Sequence, residues 1–431
     1  MSKAVVSFFW FRRDLRLEDN IGLFQALKSE YPVIPLFVFD TDILDKLPKD
    51  DARVSFIHDN LSNINEQLKG LGSSLLIKNG STKQVWQSLV DEYDIKEVFF
   101  NKDYEPYAIA RDEAICELLE QKNIISYSFK DQVIFEEKEI VKADGLPYTV
   151  YTPYKNKWLE NYKLNAPVQE YDLKPLFSNW FQSNFELLSL EDIGFVRSKI
   201  KVKPYTFKGV ATYDETRDFP AVDSTSYLSP HLRFGTVSIR KMVNYAAQSN
   251  ALFLSELIWR EFFMQILFSF PKVVTHNFKP AYDGIEWRNN EDDFKRWCEG
   301  KTGYPMVDAG MRQLNETGYM HNRVRMVVAS FLIKHLMIQW QWGEAYFAQK
   351  LLDYELSANV GNWQWAAGTG CDAAPYFRVF NPEIQLKKFD EKGRYIRKWI
   401  PEFDLGYGAP MVEHAFARDR AIATYKAGIL K

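Results

Sequence analysis

The sequence predicts two parts, an α/β domain built on a doubly wound parallel sheet and then an all-α domain, joined by a long linker. Three observations carry this reading. Up to about residue 130, short apolar runs alternate with stretches of helical spacing. From about 131 to 200 the periodicity disappears and Pro, Tyr and Lys become frequent, as in Gly145-Leu-Pro-Tyr-Thr-Val-Tyr-Thr-Pro-Tyr154 and Leu173-Lys-Pro-Leu-Phe177. After about 200 the pattern is helical throughout, with few runs of β-branched residues. The expected boundaries are therefore 1–131, 132–199 and 200–431.

Each element follows from its own pattern. Val5 to Phe11, Val33 to Phe39, Ser74 to Lys78, Glu97 to Asn101 and Ile124 to Phe129 read as strands. Several lack alternation, as expected of strands covered on both faces. Between them Val54, Ile57, Leu61, Ile64 and Leu68 keep helical spacing, as do 82–93 and 107–122. No GxGxxG follows the first strand; the charged loop Arg12-Arg13-Asp14-Leu15-Arg16-Leu17-Glu18-Asp19-Asn20 stands there instead. A structureless linker as long as 132–199 is uncommon, so it is expected to wrap one domain and to carry short helices.

Composition narrows the function. With 431 residues, 46% hydrophobic, the chain can bury large cores. Aromatics reach 16%, and eight of the 12 tryptophans follow residue 250, which points to a flat conjugated ligand or a strongly aromatic core. A net charge of −3 argues against a basic coat, but a local Arg/Lys patch is enough to meet phosphates. Cys116, Cys298 and Cys371 are scattered and odd in number, so no disulfide framework is expected and a reducing cytoplasm fits. The apolar run before Arg12 is too short to span a membrane, and no cleavage site follows it.

Four stretches carry chemistry. In Tyr213-Asp-Glu-Thr-Arg217 and Thr225-Ser226-Tyr227-Leu228-Ser229-Pro, small hydroxyl residues precede a helix, which suits a pyrophosphate and equally an ordinary helix cap. In Glu256-Leu-Ile-Trp259-Arg260, spacings of three and four share a helix face, whether as a ligand surface or as a Glu–Arg pair beside a core indole. The third is Thr302-Gly-Tyr-Pro through His321-Asn322-Arg323-Val-Arg325-Met326. Its His321 reads as structural, and no His/Cys/Asp cluster has metal-ligand spacing, so no metal is expected. Last, Asn359-Val-Gly-Asn-Trp363-Gln-Trp365-Ala-Ala-Gly sets two indoles beside small residues, an arrangement able to line a slot for a flat ring.

Those stretches, with the Arg12–Asn20 loop, the Tyr-Thr-Pro-Tyr segment and the run through Arg378 to Pro382, resemble the DNA photolyase/cryptochrome family. The likeness is greatest to class I cyclobutane pyrimidine dimer photolyases. It spans nearly the whole chain and is strongest from 205 to 390.

The resemblance implies an FAD-binding helical domain and light-driven repair of pyrimidine dimers in DNA. It sets Thr225, Ser226, Tyr227, Leu228 and Ser229 at the FAD phosphates with Tyr213 alongside, although the family often has Arg at Tyr227. Arg325 and Asp353 would pair beside the flavin ring, near Tyr354 and Glu355, and Asn359 would face flavin N5. Trp259 and Trp365 would enclose the flipped-out dimer, with Asn322, Met326 and Gln385 nearby. Glu256 would bond the pyrimidine edge from an apolar pocket that raises its pKa. Arg217, Arg260 and Arg323 would meet phosphate, Arg260 alternatively the flavin. Trp287, Trp340 and Trp363 match the family's electron relay.

Two positions bear on the subfamily. Plant-type cryptochromes carry Asp at the position of Asn359, and (6-4) photolyases carry His at that of Asn322. Both favour a cyclobutane dimer enzyme over the alternative, a cryptochrome-type photoreceptor without repair activity. The rest of the expectation is a monomer in the cytoplasm, without a membrane, whose partner is damaged DNA. A folate or deazaflavin antenna could sit in the first domain, where Asn101, Asp103 and Glu105 follow a strand end.

Overall fold

A computed structural model of the chain describes residues 3–429. Its strands are β1 (Val5–Phe11), β2 (Val33–Asp40), β3 (Leu76–Gly80), β4 (Asp94–Asn101) and β5 (Ile125–Phe129). They form one parallel sheet in the order β3-β2-β1-β4-β5. Phe9 pairs with Pro35 on one side and Phe99 on the other. All eight residues of β2 are buried, which is why its sequence does not alternate, whereas the edge strand β5 is mostly exposed.

Three of the helices between strands fall where the spacing puts them, at Ala52–Lys69, Thr82–Glu92 and Pro106–Glu120, and two shorter ones, Ile21–Leu27 and Thr41–Leu44, lie outside that reading. Val54, Leu61, Ile64 and Leu68 enter the core on one side of the sheet, and Trp86 and Leu89 enter it on the other. Among the described residues no strand follows β5.

The chain divides into two compact units, but not at residues 131 and 199. The first takes the chain through Glu139 together with Trp158–Tyr205 and Tyr227–Gln248. The second takes Ile140–Lys157, Thr206–Ser226 and everything from Ser249. Most of the expected linker is thus packed structure. Leu173, Trp180, Leu190, Ile193 and Phe195 are buried in the core of the first unit. The linker's helices are Tyr151–Asn165 and the short 3-10 turn Lys174–Asn179.

The Arg12–Asn20 loop is also largely buried, with Glu18 exposed. Arg16 Nη2 donates to Asp131 at 2.7 and 2.8 Å, and Arg240 Nη2 reaches the same carboxylate at 2.8 Å. Burial alone would raise the Asp131 pKa, but the two guanidiniums hold it below the ordinary value. Arg240 Nε also donates to Asp19, at 3.0 Å. A buried charge needs such partners, which explains so many charges in one βα loop.

The second unit is helical. Helices Ala251–Ser269, Asn322–Ser330, Trp340–Lys350 and Leu356–Ala367 carry most of the candidate site. Helices Leu356–Ala367 and Ala251–Ser269 approach closely because position 361 is glycine: a Cβ there would lie 2.2 Å from the Phe263 ring. Among the described residues no helix is long and apolar enough to cross a membrane.

Candidate functional site

Helix Ala251–Ser269 starts at Asn250, whose side chain accepts from the N–H groups of Leu252 and Phe253, both at 3.0 Å. That start sets the register that leaves Glu256, Trp259 and Arg260 half-buried while Leu257, Ile258 and Phe262 are buried. The Trp259 ring lies parallel to that of Tyr151, with centroids 3.5 Å apart and planes 8° apart. The apolar surroundings expected for Glu256 are not found. Arg217 Nη1 donates to its Oε1 at 2.6 Å, so the carboxylate is ion-paired.

A second pair stands beside the first in sequence. Arg323 Nη2 donates to Asp218 Oδ1 at 2.6 Å, and its guanidinium lies 4.4 Å from the centre of the Phe389 ring. His321 caps helix Asn322–Ser330: its Nδ1 accepts from the Arg323 N–H at 3.2 Å. Burial, with Arg325 nearby, pushes the His321 pKa down to about 4, so the ring is neutral and free to accept. Asn322 is exposed at the start of that helix, and Met326 and Gln385 are half-buried.

Arg325 and Asp353 pair as the resemblance implies. Arg325 Nη2 reaches the two Asp353 oxygens at 2.9 and 3.2 Å, and Nε donates to the Met320 carbonyl at 2.8 Å. Tyr354 is half-buried next to Asp353. Glu355 turns inward as the N-cap of helix Leu356–Ala367. Its carboxylate accepts from the Ser357 and Ala358 N–H groups at 3.2 and 2.8 Å and from the Ser357 hydroxyl at 2.5 Å. That carboxylate starts the helix.

Asn359 is buried one turn further on. Its Nδ2 donates to the Glu344 backbone carbonyl at 3.1 Å and to Glu344 Oε1 at 2.8 Å. A backbone carbonyl can only accept, so the nitrogen must face Glu344 and Oδ1 must point elsewhere as an acceptor. Burial raises the Glu344 pKa, and the Asn359 bond opposes that rise in part. Glu344 escaped the sequence reading because 15 residues separate it from Asn359, with no periodic relation between them.

Trp363 and Trp365 do not line a common slot. Residues two apart on a helix point to different sides. Trp363 is buried against Gly343, where a Cβ would meet its ring at 2.1 Å, and lies edge-on to Phe347 at 5.0 Å. Trp365 is half-buried, with the Arg378 guanidinium 6.0 Å from its centre. Trp340 is buried, and its Nε1 donates to Asn277 Oδ1 at 3.0 Å. Trp287 is half-buried, edge-on to Tyr425 at 5.7 Å.

In the hydroxyl-rich segment, Thr225 and Ser229 are exposed and Leu228 is buried. Tyr227 is the N-cap of helix Leu228–Phe234, makes no side-chain capping bond, and has φ 54°. A left-handed backbone at a bulky residue is strained, and such strain gathers at functional sites. The N-cap position itself is taken by Tyr227 and not by Thr225 or Ser226. Tyr213 sits in the short helix Tyr213–Thr216, edge-on to Phe253 at 5.3 Å.

In the first unit the three residues at the strand end are held by protein groups. Asn101 Nδ2 donates to Asp14 at 2.6 Å and Asn20 at 2.8 Å, and its Oδ1 accepts from the Gly22 N–H at 3.0 Å. Arg13 Nη1 holds Asp103 at 3.1 Å and Glu105 at 2.8 Å. Asn101 is therefore a structural residue of the sheet end.

Known proteins agree with this architecture. The family model described as DNA photolyase matches residues 7–173, and the one described as the FAD binding domain of DNA photolyase matches 253–405. The chain is 35% identical to the deoxyribodipyrimidine photo-lyase of Agrobacterium fabrum, over 99% of this chain and 98% of that protein. Among solved structures, a class III photolyase from Agrobacterium tumefaciens matches with a TM-score of 0.87 at 33% identity, covering 100% of this chain and 98% of that one. An archaeal photolyase from Sulfolobus tokodaii, solved with two FAD molecules, matches with a TM-score of 0.83 at 33% identity over 98% and 99% of the two chains. The likeness to a class III enzyme leaves the class I resemblance unassigned. The paired Arg325 and Asp353, the pinned Asn359 amide and the half-buried Trp259 all lie within the stretch that the second model matches, and the chain belongs to the DNA photolyase family and carries its FAD-binding domain.

Proposed function

We propose that this protein repairs cyclobutane pyrimidine dimers in DNA under light, with FAD as its cofactor. The observation that carries the reading is the Asn359 amide, buried and oriented by Glu344 so that a neutral acceptor is presented. An amide can hydrogen-bond there but cannot hand over a proton, as the Asp of plant-type cryptochromes could. Bound FAD supplies the electron that opens the dimer on excitation.

The residues suit that cofactor. Thr225 to Ser229 offer hydroxyl and backbone groups at a strained turn for the pyrophosphate, and Tyr213 is assigned to the same cofactor. The Arg325–Asp353 pair and Asn359 supply polar contacts for the ring system, with Tyr354 alongside. Trp259 forms one wall for the lesion and Trp365 the other, with Asn322, Met326 and Gln385 at the margin. Glu256 bonds the pyrimidine edge once phosphate draws Arg217 away. Arg260 and Arg323 meet the backbone of the DNA. Trp287, Trp340 and Trp363 refill an oxidised cofactor with electrons from solution.

The test is an oligonucleotide carrying one cyclobutane thymine dimer, incubated with purified protein in blue light or in darkness. Loss of the dimer only in light, from a preparation containing flavin, is the expected result. Binding without light-dependent loss would favour a photoreceptor and sink the repair reading.

A further inference from the structure

We propose that Tyr151 is a positioning residue for the lesion pocket, fixing the Trp259 indole on one side and the segment after Trp365 on the other. The inference rests on the lesion-binding reading of those two tryptophans. Three contacts of one residue carry it. The Tyr151 ring covers a face of Trp259 at 3.5 Å and 8°. Its hydroxyl donates to the Ser255 carbonyl at 2.7 Å and lies 2.6 Å from the Ser255 hydroxyl. Its backbone N–H donates to Asp372 Oδ2 at 2.9 Å.

Their placement is what matters. Ser255 lies four residues before Trp259, on the same face of helix Ala251–Ser269, so the hydroxyl ties the tyrosine to the helix one turn from the indole. Asp372 lies seven residues beyond Trp365, in the loop after helix Leu356–Ala367. One side chain and its own N–H therefore connect the two segments that carry the two walls.

A tyrosine needed only to fill the core would also be buried, and Tyr151 is 6% exposed. Trp259, however, is only half-buried, so the stack covers one part of the indole and leaves another open. An indole that receives a flat ligand loses affinity if it must first give up rotamer freedom. Backing it with a second ring removes that freedom during folding, before the ligand arrives. Phe263, at 5.4 Å and 29°, supports the same indole from the next turn.

The test compares wild type with Tyr151→Leu, Tyr151→Phe and Asp372→Asn in the full-length, flavin-loaded protein. Affinity for an oligonucleotide with one thymine dimer and for its undamaged counterpart is measured alongside flavin content. Tyr151→Leu is expected to lower the preference for the dimer about two- to tenfold, the scale of one aromatic pair, with undamaged binding and flavin content unchanged. Tyr151→Phe, which keeps the ring, should restore most of that preference. Asp372→Asn should lower it by a smaller factor. An unchanged preference in Tyr151→Leu overturns the proposal. So does loss of flavin in that variant together with unchanged preference in the other two, which would make Tyr151 a core residue. If wild type itself shows no preference for the dimer, the lesion-binding reading fails, and this inference fails with it.

Discussion

The side-chain nitrogen of Asn359 is held by Glu344, through both the backbone carbonyl and the carboxylate of that one residue, at 3.1 and 2.8 Å. The arrangement ties the orientation of a buried amide to the state of a half-buried acid. Burial disfavours the charged carboxylate, so the Glu344 pKa is raised above its ordinary 4.5.

That rise gives a stability prediction with a definite sign. Between the ordinary and the raised pKa the folded state holds a proton that the unfolded chain has released. Stability contributed by Glu344 is therefore lost as pH climbs through that window. Glu344→Gln keeps an acceptor for Asn359 and removes the titration. Denaturation midpoints followed upward from pH 4.5 should fall less steeply in the variant than in wild type. Parallel curves would show that the Glu344 carboxyl is not desolvated enough to raise its pKa.

Arg323 holds Asp218 in the free protein and is proposed to exchange it for a phosphate. Arg323→Ala should weaken damaged and undamaged DNA together. It should also reduce the slope of log affinity against log salt by about one. A loss confined to the dimer would point to a lesion contact instead.

Trp287 is the most exposed member of the proposed relay, half-buried where Trp340 and Trp363 are buried. Phenylalanine keeps most of its shape but is much harder to oxidise. Trp287→Phe should retain fold and flavin content yet fail to reduce oxidised FAD in light with an external reductant. Repair by chemically reduced protein should stay normal. Unimpaired photoreduction would remove Trp287 from the relay.

Gly361 lets helix Leu356–Ala367 close on Phe263, where an added Cβ would stand only 2.2 Å from the ring. Alanine favours a helix over glycine by about 1 kcal/mol. Forced overpacking costs about 1–3 kcal/mol. Gly361→Ala should therefore leave stability unimproved or lower it, as read by denaturant midpoint. A clear gain would mean that the helices are not in such contact.

Local pattern sufficed for the five strands and the three longer helices between them, and motifs along the chain for the family. These elements follow from apolar runs and helical spacing, because burial on two faces or on one stripe is written directly into residue order. The Arg325–Asp353 pair was legible through the resemblance, since its motifs run along the chain. Tertiary structure decided whatever depends on which distant segments meet. Asn359 finds Glu344, Trp259 finds Tyr151 and Arg217 finds Glu256 across 15, 108 and 39 residues, and no local period relates them. It also separated Trp363 from Trp365, because two steps along a helix turn the side chains apart however close they stand in sequence.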